Sequence, residues 1–496
     1  MQIMNQITPL VYQDILSKLP YEIAVYIIGF LDMPSLIQTS QVSRGWNALC
    51  NEPCLWRELF EAQKWEYDKK GMMSYLSPDE GISSIPIVRS SSPLIESDKR
   101  TKLYNMKNAL RSTPPQQPSL SPNETVATSS RPISRGSTQP LSPTQPSLSR
   151  PVSPRVSGLK TDEMMYHYSE ESGTRYINWK RLYRNRYLIE ERWKRGSCKM
   201  RLFPPNSCPA VELHSEGIYT LQFDKNKIVT GSRDETIKIW DYHSGRCTKT
   251  IHCHNGSVLC LQYNEKYIVS GSSDATVVVS DIETGETVAK LLGHLDSVLS
   301  LKMVDDKIVS CSKDRTLRIW DIETKECIRI LKGHKTAVNA VQWKGDKIVS
   351  ASGDRAIKIW NSETGECLNT LEAHIRGVAC VEFDGEYIIS GSSDQTIKVW
   401  NAASGQCIYT LAGHSELVRT IQMDHVSSRI ISGCYNGHLK IWDLTEGKLM
   451  RDLGQATKGR ILNLKFDCSK IICCSTLVRL MICDFAHGID TKFLLL

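Results

Sequence analysis

The sequence predicts an all-β, seven-bladed propeller, preceded by an α-helical region that a polar insert interrupts. A tryptophan followed by Asp or Asn ends a repeated unit at Trp240, Trp320, Trp360, Trp400 and Trp442. Ser280 and Cys483 occupy the two remaining places in the same period. Repeats of ~40–45 residues that begin with Gly-His and end with Trp-Asp are typical of four-stranded propeller blades. The seven units therefore predict a propeller over residues 199–490.

A second observation is a polar set that recurs from unit to unit. The unit that ends at Trp320 contains His294, Ser310 and Asp314, and the next two units repeat these residue types at the same spacing. A hydroxyl, an imidazole, a carboxylate and an indole N–H can satisfy one another's hydrogen bonds where water is excluded. The alternative is a catalytic Ser-His-Asp triad, but a strained nucleophile turn occurs once per enzyme rather than once per repeat. The set therefore predicts a structural polar core.

Each unit also has the pattern of antiparallel strands. In the first unit, the β-branched run at 227–229 is followed by a small-residue turn at 231–234 and by alternating residues from Thr236 to Trp240. The last unit is degenerate, because Thr457, Cys473, Leu477 and Cys483 stand where His, Ser, Asp and Trp are expected. Its outer strand comes either from residues 199–203 or from the terminal residues 493–496, and the sequence leaves both open.

Composition limits the function classes. The chain has 496 residues, a formal net charge of +7 and 17 cysteines. A diffuse charge of this size does not indicate nucleic-acid binding, and the cysteines lack the paired spacing of a zinc site. Neither a long apolar span nor a signal peptide is visible. We expect a soluble protein of the cytoplasm or nucleus, with no membrane or nucleic-acid partner, no metal and no cofactor.

Residues 12–60 have the apolar spacing of short helices. Leu16, Leu19, Ile23, Ile27 and Leu31 follow one another at intervals of three or four residues, which predicts one apolar helical face. A segment this short cannot bury so much large apolar surface on itself. It either packs on the propeller as a small three-helix domain or keeps part of the surface for a partner.

The chain between this segment and the propeller has three parts. Residues 61–76 and 163–198 are expected to form a helical linker, and residues 77–160 a disordered insert. The insert is rich in Ser-Pro pairs and poor in aromatic residues, so it has little apolar area to offset the entropy of ordering. It is either a spacer or a cluster of proline-directed phosphorylation sites. Arginines among the aromatic residues of 176–193 could suggest RNA binding, but helical spacing favours core packing.

The residues near the start of the chain resemble the F-box motif. They include Leu19-Pro20, Phe30-Leu31 and Val42-Ser43, and a WD-repeat propeller follows them. F-box proteins bind the Skp adaptor of cullin–RING ubiquitin ligases. The resemblance implies an adaptor-binding set formed by Leu19, Pro20, Ile23, Ile27, Leu31, Leu36, Val42, Trp46, Leu55 and Trp56.

The propeller resembles the beta-transducin-repeat-containing protein subgroup of F-box/WD-repeat proteins. The strings at 192–196, 237–240, 256–263, 311–315, 350–355 and 416–419 carry this resemblance. The subgroup binds a doubly phosphorylated Asp-Ser-Gly-type degron on the narrow face of the propeller. The resemblance implies phosphate contacts from Arg233 and Arg376, and contacts from Arg419 and Arg460 to an acidic residue. The full implied set is Tyr219, Arg233, Ser257, Leu259, Ser273, Leu299, Lys313, Asn339, Arg376, Gly377, Ala379, Ser393, Arg419 and Arg460.

The repeat supports this set independently. Equivalent positions in successive blades form rings. The residue after the first apolar residue of each blade gives one ring: Tyr219, Leu259, Leu299, Asn339, Ala379, Arg419 and Leu462. The turn before the repeated Asp gives a second: Arg233, Ser273, Lys313, Gly353, Ser393 and Tyr435. Varied residues on a constant scaffold are expected of a specific binding face, although any propeller has varied surface residues.

The sequence therefore predicts a non-catalytic substrate receptor. Its F-box would dock the Skp adaptor and cullin–RING core, and its propeller would bind phosphorylated proteins for ubiquitination and degradation. One alternative is a WD-repeat scaffold outside ubiquitin transfer, and another is a ligase receptor for a different degron class. Few residues precede the F-box-like segment, where the subgroup's dimerisation segment lies, so dimerisation is left open.

Overall fold

The computed structural model describes residues 16–76, 165–169 and 174–495. The insert predicted at 77–160 lies outside the described residues. The chain divides into two compact units. Within the described residues, the first contains 16–56, 73–76, 165–169 and 174–179, and the second contains 57–72 and 180–495.

Short helices form most of the first unit. A 3₁₀ turn (Leu16–Lys18) precedes α1 (Tyr21–Ile28), α2 (Met33–Thr39) and α3 (Arg44–Cys50), and both α1 and α2 pack on α3. The side chains of Asp32 and Ser43 cap α2 and α3 by accepting backbone N–H groups at 3.0 and 3.2 Å. Two further helices, α4 (Pro53–Ala62) and α5 (Lys69–Leu76), run from one unit into the other.

Among its described residues, the segment expected to be a helical linker at 163–198 is helical only from Trp179 to Arg195. Its described residues begin with a two-stranded antiparallel sheet of β1 (Tyr166–Ser169) and β2 (Thr174–Ile177), and α6 (Trp179–Arg195) follows. The expectation of a helix was wrong for Tyr166–Ser169 and Thr174–Ile177. Those strands are rich in aromatic and β-branched residues, which favour extended backbone and pair with the opposite strand.

Seven four-stranded antiparallel sheets confirm the predicted seven-bladed propeller. Blade 1 contains β4 (Ile218–Phe223), β5 (Lys227–Ser232), β6 (Ile237–Asp241) and β7 (Cys247–Ile251). Blade 2 contains β8 (Val258–Tyr263), β9 (Tyr267–Ser272), β10 (Val277–Asp281) and β11 (Thr287–Leu291). Blade 3 contains β12 (Val298–Val304), β13 (Lys307–Ser312), β14 (Thr316–Asp321) and β15 (Cys327–Lys332).

The remaining blades follow the same order. Blade 4 contains β16 (Val338–Lys344), β17 (Lys347–Ser352), β18 (Ala356–Asn361) and β19 (Cys367–Glu372). Blade 5 contains β20 (Val378–Phe383), β21 (Tyr387–Ser392), β22 (Ile397–Asn401) and β23 (Cys407–Leu411). Blade 6 contains β24 (Val418–Asp424), β25 (Arg429–Cys434), β26 (His438–Asp443) and β27 (Lys448–Gln455). Blade 7 contains β28 (Ile461–Phe466), β29 (Lys470–Ser475), β30 (Leu480–Asp484) and β3 (Lys199–Phe203).

The ring closes through strand β3, which comes from the chain before blade 1. It pairs with β30 in blade 7, with Met200 opposite Cys483. The first strand of each blade contacts the first strand of the next, and β28 of blade 7 contacts β4 of blade 1. The alternative outer strand near the C-terminus is used elsewhere, because Leu494 forms a bridge with Tyr67. Pairing with β3 covers the edge of β30, which would otherwise be left open where the ring closes.

Helix α6 packs on blades 6 and 7 within the second unit. Trp193 stacks on Phe485 with ring centroids 3.7 Å apart, and its indole N–H donates to the Cys468 carbonyl at 2.8 Å. Buried Glu190 forms an ion pair with Arg429 of blade 6. Most of this helix is therefore an integral part of the propeller unit.

Candidate binding site at the propeller mouth

A buried hydrogen-bond network supports each of blades 3, 4 and 5. In blade 3, His294 Nε2 lies 2.8 Å from Ser310 Oγ, and His294 Nδ1 lies 2.7 Å from Asp314 Oδ2. The indole N–H of Trp320 donates to the same serine oxygen at 2.7 Å. Ser310 is fully buried, so its hydroxyl is not placed to attack a substrate. The network is structural, as the repeated set predicts.

Protonation in this network follows from burial and hydrogen bonding. Burial lowers the pKa of His294, so the imidazole is neutral at pH 7. Burial acts to raise the pKa of Asp314, but hydrogen bonds from groups such as Thr316 and Leu295 outweigh it and lower that pKa to about 2. The carboxylate accepts the Leu295 backbone N–H at 3.0 Å. The network therefore also holds the loop at this end of the blade.

Two blades lack one member of the network. In blade 2, Ser280 replaces Trp, and its fully buried hydroxyl has no hydrogen-bond partner among the described residues. In blade 6, Asn436 stands where blades 1 to 5 carry Asp, and His414 Nδ1 is likewise without a partner in the described part of the chain. Burial, followed by the charge of Lys440, lowers the pKa of His414 to about 4.

The first predicted ring consists of residues at β-bulges. In all seven blades the register between the first and second strands shifts at this residue, as at Leu259 between Val258 and Cys260. The bulge ring is Tyr219, Leu259, Leu299, Asn339, Ala379, Arg419 and Leu462. The first strands surround the channel, so these residues lie together at the end where those strands begin.

The second ring is held against a third by a repeated backbone hydrogen bond. The N–H of the turn residue donates to the carbonyl of the residue before the first strand, at 2.9–3.2 Å in every blade. The turn ring is Arg233, Ser273, Lys313, Gly353, Ser393, Tyr435 and Thr476, and the entry ring is Gly217, Ser257, Ser297, Ala337, Gly377, Leu417 and Arg460. We call the surface formed by the three rings the mouth.

Contacts between blades bring the rings closer together. Ser257 donates to the Arg233 carbonyl of blade 1 at 3.4 Å, and Asn339 donates to the Val378 carbonyl of blade 5 at 2.7 Å. A Cβ on Gly377 would lie 3.1 Å from the Gly353 Cα of blade 4. Glycine at 377 therefore allows two blades to approach closely beside the exposed Arg376.

The cations of the mouth differ in their pairing. Arg233 forms an ion pair with Glu216 at 2.9 Å, and Lys313 lies 3.7 Å from Asp296. Arg376 is exposed and makes no ion pair within the residues that the structure covers. A phosphate would therefore meet Arg376 directly, but it would compete with carboxylates for Arg233 and Lys313.

The two remaining arginines have different partners. Arg419 donates to the Ala379 carbonyl at 3.1 Å and is half-buried. Burial raises the pKa of the nearby Cys380 thiol to about 12, and the positive charge of Arg419 opposes this. Arg460 is exposed, and its guanidinium lies 5.4 Å from the centre of the Tyr435 ring. Arg419 therefore reaches across to blade 5, and Arg460 rests on the Tyr435 ring of blade 6.

Every residue of the implied degron-binding set except Arg376 is a member of one of the three rings, and Arg376 directly precedes Gly377. The remaining members form a mixed lining. Tyr219, Leu259 and Leu299 are half-buried bulge residues, Ala379 is buried, Ser273 is exposed and Ser393 is half-buried. The mouth therefore presents cations, hydroxyls and apolar groups within one ring of loops.

The first unit has a second surface of interest. Its core contains Ala24, Ile28 and Leu36, whereas Ile23, Ile27 and Val42 are exposed, Val42 by 65%. The predicted apolar stripe of α1 is thus mostly on the outer face of the helix. Of the implied adaptor-binding set, Pro20 is also exposed, Leu19, Leu31 and Trp46 are half-buried, and Leu36, Leu55 and Trp56 are buried. The exposed members can contact a partner, and the buried ones support them.

Two other features are absent from the part of the chain that the structure describes. No group of three or more His, Cys, Asp or Glu side chains there is placed to hold a metal ion. None of the described helices has the length and apolar character needed to span a membrane.

Comparison with known families matches two regions of the chain. The F-box-like family matches residues 16–62. The family described as WD domain, G-beta repeat, matches 207–241, 245–281, 285–321, 325–361, 365–401 and 405–443. The chain carries an F-box-like domain and WD repeats. Blade 7 lies beyond the matched repeats, in keeping with its lost His, Ser, Asp and Trp.

Curated relatives include fungal proteins named "Probable E3 ubiquitin ligase complex SCF subunit sconB". The protein from Emericella nidulans is 30% identical over 232 residues, which is 47% of this chain and 30% of the relative. The protein from Talaromyces marneffei is 28% identical over 249 residues, or 50% of this chain and 32% of the relative. The chain thus matches less than a third of the length of these relatives. The crystal structure of the computationally designed protein Ika8 has a TM-score of 0.47 and 26% identity, covering 55% of this chain and 98% of that one.

Sequence reasoning missed several residues at both surfaces. Thr476 completes the turn ring, but the degenerate sequence of blade 7 hid its position. Glu216 and Asp296 pair with Arg233 and Lys313 of the implied degron-binding set, and the repeat offered a signal, because both directly precede an entry-ring residue. On the F-box-like domain, Tyr21, Tyr26 and Ile37 add exposed apolar area.

Proposed function

We propose that this chain is a non-catalytic substrate receptor of an SCF-type ubiquitin ligase. In this proposal the F-box-like domain docks a Skp-family adaptor, and the mouth of the WD propeller binds a phosphorylated segment of the substrate. The observation that carries the proposal is the combination of an exposed apolar face on the first unit with a cation-rich mouth on the second. The curated relatives support it through their name, which describes an SCF subunit.

The exposed face of the F-box-like domain fits the docking of a partner helix or loop. Ile23, Ile27 and Val42 are exposed, as are Tyr26 and Phe30, whose ring centroids lie 5.1 Å apart. Clustered large apolar side chains on a small domain are usually covered in the functional assembly. The face is therefore the docking surface that we propose for the Skp-family adaptor.

The mouth fits a doubly phosphorylated peptide of the Asp-Ser-Gly type. Arginine presents a planar fork that matches phosphate oxygens, and hydroxyls such as Ser257, Ser273 and Ser393 add neutral donors. The half-buried Leu259 and Leu299 can receive the glycine and neighbouring apolar parts of the peptide. A charge-assisted hydrogen bond of this kind contributes ~1.5–3 kcal/mol, so loss of one arginine should weaken binding by roughly ten- to a hundredfold.

Binding of a fluorescent doubly phosphorylated peptide to the full chain tests the mouth. We expect Arg376→Ala and Arg233→Ala to lose most of the affinity. The larger loss is expected at Arg376, because it need not break an ion pair with any carboxylate of the described residues before it binds a phosphate. Arg246→Ala is a matched control. Arg246 is also paired with a glutamate and is similarly exposed, at 60% against 63% for Arg233, but its turn lies at the opposite end of the blade. Affinity unchanged in both mouth variants would show that the peptide binds elsewhere.

Capture of the purified Skp-family adaptor tests the F-box-like domain. Ile23→Ala combined with Ile27→Ala removes exposed side chains without opening the core, and we expect at least a tenfold loss of adaptor affinity. Ile328→Ala combined with Ile330→Ala is the matched control, because both residues are similarly exposed on strand β15 of the propeller. Normal adaptor capture by the F-box double variant would show that the adaptor binds other residues, whereas no capture by the wild type would favour a WD scaffold outside ubiquitin transfer.

A phosphopeptide library separates the remaining alternative. If the mouth selects phospho-Thr-Pro or unphosphorylated sequences while adaptor capture is intact, the chain is a ligase receptor for another degron class.

A further inference from the structure

Outside the mouth, each of blades 1 to 5 carries a pair of residues fixed by its buried aspartate. One member follows the His of the network, and its N–H donates to the aspartate at 2.8–3.0 Å. The other member directly follows the aspartate and has a φ of 67–75°. The same carboxylate thus brings the two residues together on the rim around the mouth. From blade 1 to blade 5 the rim pairs are Ser215 with Glu235, Asn255 with Ala275, Leu295 with Arg315, Lys335 with Arg355, and Ile375 with Gln395.

The composition of these rim pairs changes sharply around the ring. Blades 1 and 2 carry small, polar or acidic residues at these positions. Blades 3 to 5 carry Leu295, Arg315, Lys335, Arg355 and Ile375, to which Arg376 adds a fourth cation. Leu295 and Ile375 are 87% and 78% exposed, which is high for large apolar side chains. We call these six residues the rim strip.

The cations of the rim strip are available for a partner. Within the described residues, Arg315, Lys335, Arg355 and Arg376 make no ion pair, in contrast to Arg233 and Lys313 at the mouth. Arg315 and Arg355 have positive φ values of 72° and 75°. A long side chain does not stabilise this backbone conformation. Glu, Ala and Gln adopt the same φ at this position in other blades. The turn therefore does not require arginine here, and binding can account for it.

The order of residues in the rim strip fits one kind of ligand. Apolar residues in blades 3 and 5 flank a basic centre in blade 4, as an extended peptide with apolar anchors around acidic residues would require. The strip contains no aromatic side chain for stacking bases, which argues against single-stranded RNA. Two isolated apolar residues also offer little area for a lipid surface.

We propose that the rim strip docks an acidic segment, with at least one large apolar residue, on the same substrate chain whose phosphorylated segment occupies the mouth. The strip is continuous with the mouth, because Arg376 adjoins Gly377 of the entry ring and Arg315 shares a turn with Lys313. The proposal rests on the proposed function in that it takes the mouth as the site of the phosphorylated segment. Two linked sites raise the effective concentration of the second segment once the first is bound.

Peptide binding to the full chain tests the rim strip. The probes are a core doubly phosphorylated Asp-Ser-Gly peptide, the same core extended at either end by a Glu- and Leu-containing flank, and the same extensions in Gly and Ser. We expect one acidic extension to bind more tightly than its Gly-Ser counterpart. Arg315→Gln combined with Arg355→Gln should weaken binding of the acidic extended peptide by about three- to tenfold, because exposed charge pairs contribute modestly. The same double variant should bind the core peptide within about twofold of wild type.

Gln395→Ala is the matched control, because Gln395 occupies the same left-handed turn position in blade 5 without a charge. If the double variant folds poorly, Lys335→Ala measures the same loss from a residue with an ordinary φ. Equal affinity of wild type for acidic and Gly-Ser extensions would overturn the proposal. So would an equal loss for core and extended peptides, or stronger binding of a short RNA or of anionic vesicles through the same arginines.

Failure of the proposed function would be recognised separately. If the wild type does not bind the core phosphopeptide, the mouth is not a phosphodegron site. The unphosphorylated acidic flank is then tested alone at higher concentration. Binding that the double variant loses would support the rim strip, and absence of binding would overturn it.

Discussion

Asn436→Asp in blade 6 should stabilise the propeller, and more strongly as the pH falls. In blades 1 to 5 an aspartate lies 2.7–3.1 Å from the histidine Nδ1, but His414 Nδ1 is buried without a partner in the described chain. The change keeps the shape of the side chain. The Ser415 hydroxyl, which now accepts from the Asn436 amide at 2.7 Å, can turn to donate to a carboxylate.

The magnitude follows from the pKa of His414, which burial lowers to about 4 from an ordinary 6.5. The unfolded chain binds a proton at His414 below pH 6.5, but the folded state does so only near pH 4. The free energy of unfolding therefore has its full value above pH 6.5 and decreases as the pH falls toward 4. At pH 5 the loss reaches about 2 kcal/mol. A carboxylate beside His414 would recover part of this loss. At pH 7 the new hydrogen bond should add about 1–2 kcal/mol.

Urea unfolding followed by tryptophan fluorescence at pH 7 and pH 5 provides the assay. Comparing the variant with wild type at each pH cancels the contributions of the other histidines. Asp394→Asn in blade 5 is the reciprocal control and should be destabilising by about 2–4 kcal/mol, because it removes a buried acceptor whose pKa hydrogen bonds hold at about 2. An Asn436→Asp protein no more stable than wild type, with an unchanged difference between pH 7 and pH 5, would refute the reasoning.

Three further changes test packing by the same unfolding assay. Ser280→Trp alone should lower the free energy of unfolding by about 1–3 kcal/mol. Cys253→Gly should recover much of this loss, because the residue before the network His lies against the Trp. In blade 3, a Cβ on the equivalent Gly293 would lie 3.3 Å from Trp320. Gly377→Ala should cost about 1 kcal/mol and weaken phosphopeptide binding, whereas Gly45→Ala in helix α3, with nearly open space around it, should be neutral or stabilising. Trp193→Ala should cost about 3–5 kcal/mol, since the ring is fully buried, and equal stability would mean that α6 is not part of the propeller's cooperative unit.

Features that repeat with the period were predictable residue by residue. A four-stranded blade forms from hairpins between neighbouring segments, so its register depends on local turns and alternation. Counting units therefore predicted seven blades, and aligning them brought Tyr219 and Arg419 into one ring without any coordinates. Blade 7 has the same β-bulge at this position although its polar network is lost. Alignment by position therefore identifies the ring residue in that blade too.

Features that depend on distant or unrepeated contacts were not predictable. Strand β1 lies in a segment whose apolar spacing suggested a helix, and pairing with β2 decided against it. The stripe of Ile23 and Ile27 was identified correctly as apolar, but only packing against α3 shows that Ala24 and Ile28 are the buried side. Periodicity reports which residues share a face and not what covers that face.

The sequence by itself determined the number of blades, the polar core of most of them and the equivalent positions that line the mouth. It could do so because each repeat carries its own hairpins and its own hydrogen-bond network. The tertiary structure alone decided that β3 closes blade 7 and that Leu494 pairs with Tyr67. It also decided that Arg233 and Lys313 form ion pairs while the rim-strip cations have none among the described residues. These outcomes depend on pairings between residues far apart in the chain, or on which side chains meet across a turn, and both are set by the closed ring.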